Sequence, residues 1–287
     1  MLLQLRLQKG QTYRQRVTSQ QTISQTLFDT AMVMTQTIGM GYAYEVEDVD
    51  ARGNMQIRAT YDWILYRVEI PSVGVIEYDS SDPSAQPPPG AEAFAALIGE
   101  GFQVRIAPDG EILEVDGVEE MLENILDKLP PAQRESLEEA LRQQFSSDAL
   151  KDEMGKSFVI YPDKPVGVGD SWKEKQVTGI GTLPITLDTT WTLKMRRGGR
   201  STVEVTSLIE TIPGMPAEQG STGAIYRLVG EQRGTIEIDE STGWIIRGIV
   251  TQHLSGEVQM GDPSQPVGST SWTMSLESTT TIETPGD

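Results

Sequence analysis

Between residues 102 and 154 the spacing of apolar side chains changes from every second position to every third and fourth, and this happens at length only once in the 287-residue chain. Val118, Met121, Leu122, Ile125, Leu126 and Leu129 share one helix face, while Glu119, Glu120, Glu123 and Lys128 take the other. Asp116 followed by Glu119 has the spacing of a capping box. Pro130-Pro131 ends that helix and starts the next, because a proline has no amide to give except in a first turn. Leu137, Ala140, Leu141 and Phe145 repeat the stripe, and Ser147 or Asp148 starts a third helix through Leu150 and Met154. The expected helices are about 91–98, 117–129, 131–145 and 147–154. Such short amphipathic helices need an apolar surface to lie on, and only strands are left to supply it.

The rest of the chain alternates. A short strand is expected over 2–7 and a polar one over 13–27, placed at a sheet edge or facing solvent, with a bend at Asp29. Met32, Met34, Ile38 and Met40 lie on one face of the next strand. A turn over 47–54 returns the chain to Met55, Ile57, Ala59 and Tyr61. At Trp63-Ile64-Leu65-Tyr66 both faces become apolar, so a bulge or a doubly covered strand is expected there. Residues 79–90, rich in proline and serine, form an exposed linker. After the helices and a loop over 162–170, the second half reads as strands to the end, with a loop at Pro213, Gly214, Met215, Pro216 and Gly220.

These patterns predict an α+β fold, mainly antiparallel β: a strongly curved sheet or two half-barrels with short helices packed on the concave face. Residues 1–155 form a strand meander with the helical insert, and 156–287 a second meander that packs with the first as one continuous β unit. The halves echo each other in two hairpins, one turning at Pro108-Asp109-Gly110 and one at Glu240-Ser241-Thr242-Gly243. Duplication and coincidence both account for this.

Composition removes several classes of function. A formal charge of −19 disfavours nucleic acid and anionic membranes, whose phosphates call for clustered Lys and Arg. With no cysteine and one histidine there are no disulfides, thiolate nucleophiles or Cys/His zinc sites. No apolar run reaches the ~20 residues of a membrane span. Residues 1–6 meet a charge at Arg6 before any signal-peptide core develops. The chain is therefore cytoplasmic, or a mature exported protein without its leader, and its long Thr/Ser/Gln-rich strands favour the second.

Three motifs fail on chemistry. Gly169-Asp170-Ser171-Trp172 has the letters of a lipase nucleophile block, but Ser171 leads into a strand and His253 has no acid at the required spacing. Asp48-Val49-Asp50 opens like a calcium loop, yet Arg52 and Ala59 stand where oxygen ligands are needed. Gly167-Val168-Gly169 lacks the strand-to-helix setting of a phosphate loop. No catalytic residues, metal site or cofactor are expected.

What remains is soft and apolar. Met32, Met34, Ile38, Met40, Met55, Trp63 and Trp191 on the strands, with Met121, Leu122 and Ile125 on the helix, are the candidate lining of a sheet/helix cavity for a lipid or other hydrophobic small molecule. The competing reading has the same residues simply filling the gap.

A resemblance bears on the choice. The Phe-x-Val-x-Ile-x-Pro-Asp-Gly-Glu hairpin from Phe102 to Glu111, the helical insert after it, and Pro-Val-x-Val-Gly-Asp-Ser-Trp from Pro165 to Trp172 resemble an uncharacterised family of bacterial exported proteins, often lipoproteins, of unknown function. The plan is also similar to the half-barrels of periplasmic lipoprotein carriers. The resemblance implies a periplasmic or extracellular location, membrane anchoring only through a lipidated leader, and hydrophobic-ligand binding; it transfers no functional residue. The expected function is a non-enzymatic envelope protein holding a lipid, or an interaction or scaffold protein with a filled core that meets an envelope protein partner.

Overall fold

The computed structural model describes residues 1–27, 30–70, 74–158, 160–180, 183–212, 224–260 and 270–286. The bend expected at Asp29 and the loop at 213–220 lie outside them. Among the described residues twelve strands form one curved, non-closed antiparallel sheet. The first half holds β1 (Thr12–Leu27), β2 (Thr30–Val49), β3 (Met55–Ile70), β4 (Gly74–Asp79), β5 (Gly101–Ile106) and β6 (Ile112–Asp116). The second holds β7 (Ser171–Ile180), β8 (Leu183–Arg197), β9 (Arg200–Thr211), β10 (Ala224–Asp239), β11 (Ile245–Met260) and β12 (Thr270–Glu283). Their order is β6-β5-β3-β2-β1-β12-β11-β10-β9-β8-β7, with β4 alongside β3. The meander thus runs outward from the centre, crosses by helices from one sheet edge to the other, and returns inward to close against β1.

This order corrects the placement of β1. It is central, paired to β2 on one side and β12 on the other, and not at an edge. Its polarity marks a strand whose backbone is fully paired while neither of its faces is wholly covered.

The helices are α1 (Glu92–Ala96), α2 (Val118–Lys128), α3 (Pro131–Gln144) and α4 (Ser147–Phe158). α1 packs on β3, α2 on β5 and α4 on β6. All six stripe residues of the 118–129 face are buried, with Ile125 fully so; each stabilises the fold by roughly 1.5–3 kcal/mol. The capping box does not form: Asp116 stays in the ladder opposite Gln103, and Gly117, at φ +78°, takes the cap position without a side-chain bond. Glu119 and Glu120 in the first turn still complement the helix dipole.

The expected bulge is present. Gly41 pairs with Trp63 and Tyr42 with Tyr61, so Asp62 is the extra residue. Because side chains alternate with a period of two, that insertion turns Trp63 to the outer face and Ile64 to the helix side.

Residues 2–7 do not form a strand. Leu3, Leu5 and Leu7 are buried as the alternation requires, but the segment joins no ladder. It threads between the two hairpin turns as a strap: the Leu5 amide donates to the Pro108 carbonyl and the Arg6 amide to the Thr242 carbonyl, both at 2.7 Å. Tyr161 donates its buried hydroxyl to the Gly243 carbonyl at 2.7 Å. The strap and α4 enter one large core with the lower ends of both halves, in which Trp244 packs its ring against Tyr13, Tyr44 and Phe158. A second, smaller core of Ile185, Ile209, Leu228, Leu254 and Leu276 lies toward the other end of the strands.

Two turn residues carry this junction. Gly243 has φ +74°, and a Cβ there would overlap the Gln4 carbonyl oxygen of the strap. Gly243→Ala therefore destabilises the protein by about 2–4 kcal/mol in urea titrations. Gly10→Ala, at φ +79° with open space around it, isolates the backbone strain and costs about 1–2 kcal/mol. In the same turn, Glu240 accepts from Arg196 at 2.7 and 2.9 Å and from Ser201 at 2.7 Å. The Arg196 bonds lead in pulling its carboxyl from the ordinary 4.5 down to about 2. A depressed carboxyl stabilises the fold above its unfolded pKa and ceases to as pH falls through its folded one. Thermal melts from pH 5 to pH 2 should show the parent losing stability more steeply than Glu240→Gln.

Candidate functional site

The ten apolar candidates do not come together around a hollow. Met55, Met121, Leu122, Ile125 and Trp191 are members of the large core, none more than 7% exposed, and Met40 packs partly buried against it. Ile38 and Met34 continue along the same sheet face, half-buried. Met32 is 56% exposed, since β2 runs 20 residues and its start lies beyond the helices. Trp63 is on the other face altogether. There it lies over Gly39 and Gly41, where a Cβ on either would collide with it, beneath the Arg16 guanidinium at 4.7 Å, and it donates its indole N–H to Asp79 at 3.1 Å. The Asp62 insertion is the physical reason.

The motifs set aside in the sequence have ordinary structural roles. The Ser171 hydroxyl lies 2.9 Å from that of Thr192 at the start of β7, while Trp172 donates its indole N–H to the Ile160 carbonyl. Asp50 accepts from the amides of Arg52 and Asn54, which builds the β2–β3 turn. Among the described residues no three His, Asp or Glu side chains are grouped to hold a metal, and no helix is long and apolar enough to cross a membrane.

The register brings together what alternation could not show. On the helix side of the sheet, Gln36, Gln21, Ser278, Gln252, Gln232, Ser207, Thr189 and Glu174 stand side by side across eight strands, from β2 to β7. This polar belt separates the two cores. It is partly self-satisfied: Gln36 donates to Gln21 at 2.7 Å, Ser278 to Gln252 at 3.2 Å, and the Thr189 and Ser207 hydroxyls are 2.9 Å apart. Burial raises the carboxyl pKa of Glu174 at the end of the belt, and Asp163 adds to the effect.

The opposite face is polar at the same level. Arg67, Thr37, Gln20, Thr279, Thr251 and Arg233 form one ladder across six strands, which continues through Thr206 and Thr190 to Lys173 on β7. No member is a carboxylate, on a chain of net charge −19. The next ladder, two residues along each strand, carries the acids: Glu69, Glu277, Glu231 and Asp188, with His253 between Glu277 and Glu231.

Members of these two ladders, with Gln21, Gln36, Gln252 and Ser278 between them along the strands, line an open trough of about 570 Å³. Its floor is β1 and β12, and its walls are β2 and β3 on one side, β10 and β11 on the other. Both arginines in it are paired, Arg233 with Glu231 at 2.8 Å and Arg67 with Glu77 on β4 at 2.9 Å, and His253 Nδ1 lies 3.8 Å from a Glu277 carboxylate oxygen. All these partners are exposed, so each pair contributes at most about 1 kcal/mol. Chemically the trough offers hydroxyls, carboxamides, two arginine–glutamate pairs and the Glu277 carboxylate beside His253. Sequence reasoning missed it, although a signal existed: Gln20-Gln21-Thr22, Thr35-Gln36-Thr37 and Ser278-Thr279 are polar at both parities of their strands.

An open antiparallel sheet, capped by helices on one face at one end and carrying polar ladders across its mid-length, is thus the class of protein these features define. Residues 52–245 match the family model described as a family of unknown function, DUF6263, and the chain belongs to that family. The matched stretch starts in the β2–β3 turn and stops at the first residue of β11. None of the curated proteins matches the chain. Among solved structures, a DUF1329 family protein from Desulfovibrio piger is 9% identical, with 94% of this chain and 84% of that one covered at a TM-score of 0.13, a likeness too slight to carry an argument.

The packing separates core from surface among the former candidates. Met121→Ala, at a position 1% exposed, should cost about 2–5 kcal/mol in urea unfolding, whereas Met32→Ala should stay within about 0.5 kcal/mol of the parent.

Proposed function

We propose that this DUF6263 protein is a non-enzymatic component of the bacterial cell envelope that works through its surface, as an interaction or scaffold protein, and does not carry a lipid inside. The carrying observation is the filled interior. Met55, Met121, Leu122 and Ile125, the side chains that would line a greasy cavity between sheet and helices, are each no more than 1% exposed and belong to one continuous core. To admit a lipid, α2 would have to give up most of the burial that holds it, at roughly 1.5–3 kcal/mol for each of six side chains. The accessible polar surface lies elsewhere, along the mid-length of the sheet, and the envelope location rests on the exported-protein resemblance of the 102–111 and 165–172 motifs.

Native mass spectrometry of the protein purified from its own host tests the interior, and fractionation of the same cells tests the compartment. The expected spectrum shows the bare polypeptide mass, with the protein in the envelope fraction. A stoichiometric lipid adduct surviving purification would overturn the surface-acting reading, and recovery in the cytoplasm would overturn the location.

A further inference from the structure

We infer that the acid-free ladder on the outer face is a binding track for a neutral, hydroxyl-rich polymer, a glycan chain lying across the strands. The inference rests on the surface-acting reading above. From Arg67 to Arg233 the ladder crosses five strand intervals, about 24 Å at roughly 4.8 Å each. Within that span Thr37, Gln20, Thr279 and Thr251 present one hydroxyl or carboxamide per strand, at a constant repeat and without a carboxylate. None of the four is buried, and they line a concavity.

Other classes of ligand fit less well. A protein partner is anchored by buried aromatic or apolar side chains, and the ladder has none. Nucleic acid, like any acidic polymer, needs free cations; here Arg67 and Arg233 are already held by Glu77 and Glu231, on a chain of net charge −19. A lipid chain finds no apolar floor. A polyhydroxyl chain needs what the ladder has: repeated hydroxyl and carboxamide groups at regular spacing in an open trough, with Thr251 left to accept because its proton goes to the Arg233 carbonyl at 3.2 Å.

Isothermal titration calorimetry of the full chain tests this with chitohexaose, a neutral oligosaccharide whose acetamido groups match the Gln20 carboxamide, and with a heparin hexasaccharide as the acidic comparison. Chitohexaose should bind, and Thr37→Val/Thr251→Val/Thr279→Val, which keeps β-branched shape and removes three hydroxyls, should weaken it at least tenfold. Thr192→Val/Thr235→Val, on the neighbouring outer-face ladder, should bind like the parent. If the triple variant does not fold, Gln20→Ala at its exposed position should still weaken binding severalfold. No heat with chitohexaose, equal affinity in parent and ladder variants, or tighter binding of the heparin fragment would each overturn the track. Those results leave the surface-acting reading standing; that reading falls to the lipid adduct in mass spectrometry, a separate measurement.

Discussion

Two backbone hydrogen bonds, from Leu5 to Pro108 and from Arg6 to Thr242, tie together parts of the chain more than 130 residues apart. An open sheet of this width has no ladder between its outer strands, only the helical crossover from β6 to β7, and without a further tie its halves would be free to splay. The strap joins the β5–β6 turn to the β10–β11 turn, and its three leucines add the apolar filling that makes the junction part of the core. Tyr161 and the Glu240–Arg196–Ser201 cluster reinforce the same corner. The helices can lie across the sheet because this corner fixes where the halves stand.

Lengths then decide what is covered. A strand of 16 residues spans about 53 Å at roughly 3.3 Å per residue, whereas α2, with 11 residues, is about 16 Å long. Helices of that size cover only one end of such a sheet. The polar belt inside and the polar ladders outside occur beyond that end, the belt with Thr189, Ser207 and Ser278 buried and the outer ladders accessible. The filled core lies where the helices reach, and the open trough on the face that carries none.

Much of the architecture was legible in residue spacing. The stripe from Val118 to Leu129 located α2, Pro130-Pro131 located the helix junction, and the doubly apolar Trp63–Tyr66 stretch announced the bulge. The bulge also explains the clearest misplacement. Alternation from Met55 through Tyr61 puts Trp63 on the helix side, and a single inserted Asp62 sends it to the other. The 2–7 alternation was real, but burial between two turns produces the same pattern as burial in a sheet. A methionine lining a hollow and a methionine filling it have the same sequence signature, so the burial of Met55 and Met121 could not be read from spacing. The trough escaped because it is assembled from single residues on six strands, with no local pattern to announce it.

By itself, then, the amino-acid order determined most of the strand and helix segments, where most turns fall, and that cysteine chemistry is absent, since propensity, periodicity and composition act over a few neighbouring residues. Tertiary structure decided that β1 is central, that residues 2–7 form a strap, that the helix stripe joins one core with both halves, and that the acidic side chains fall on a ladder of their own beside an acid-free one. Each of these depends on which strand lies beside which and in what register, a choice set by contacts between residues far apart in the chain.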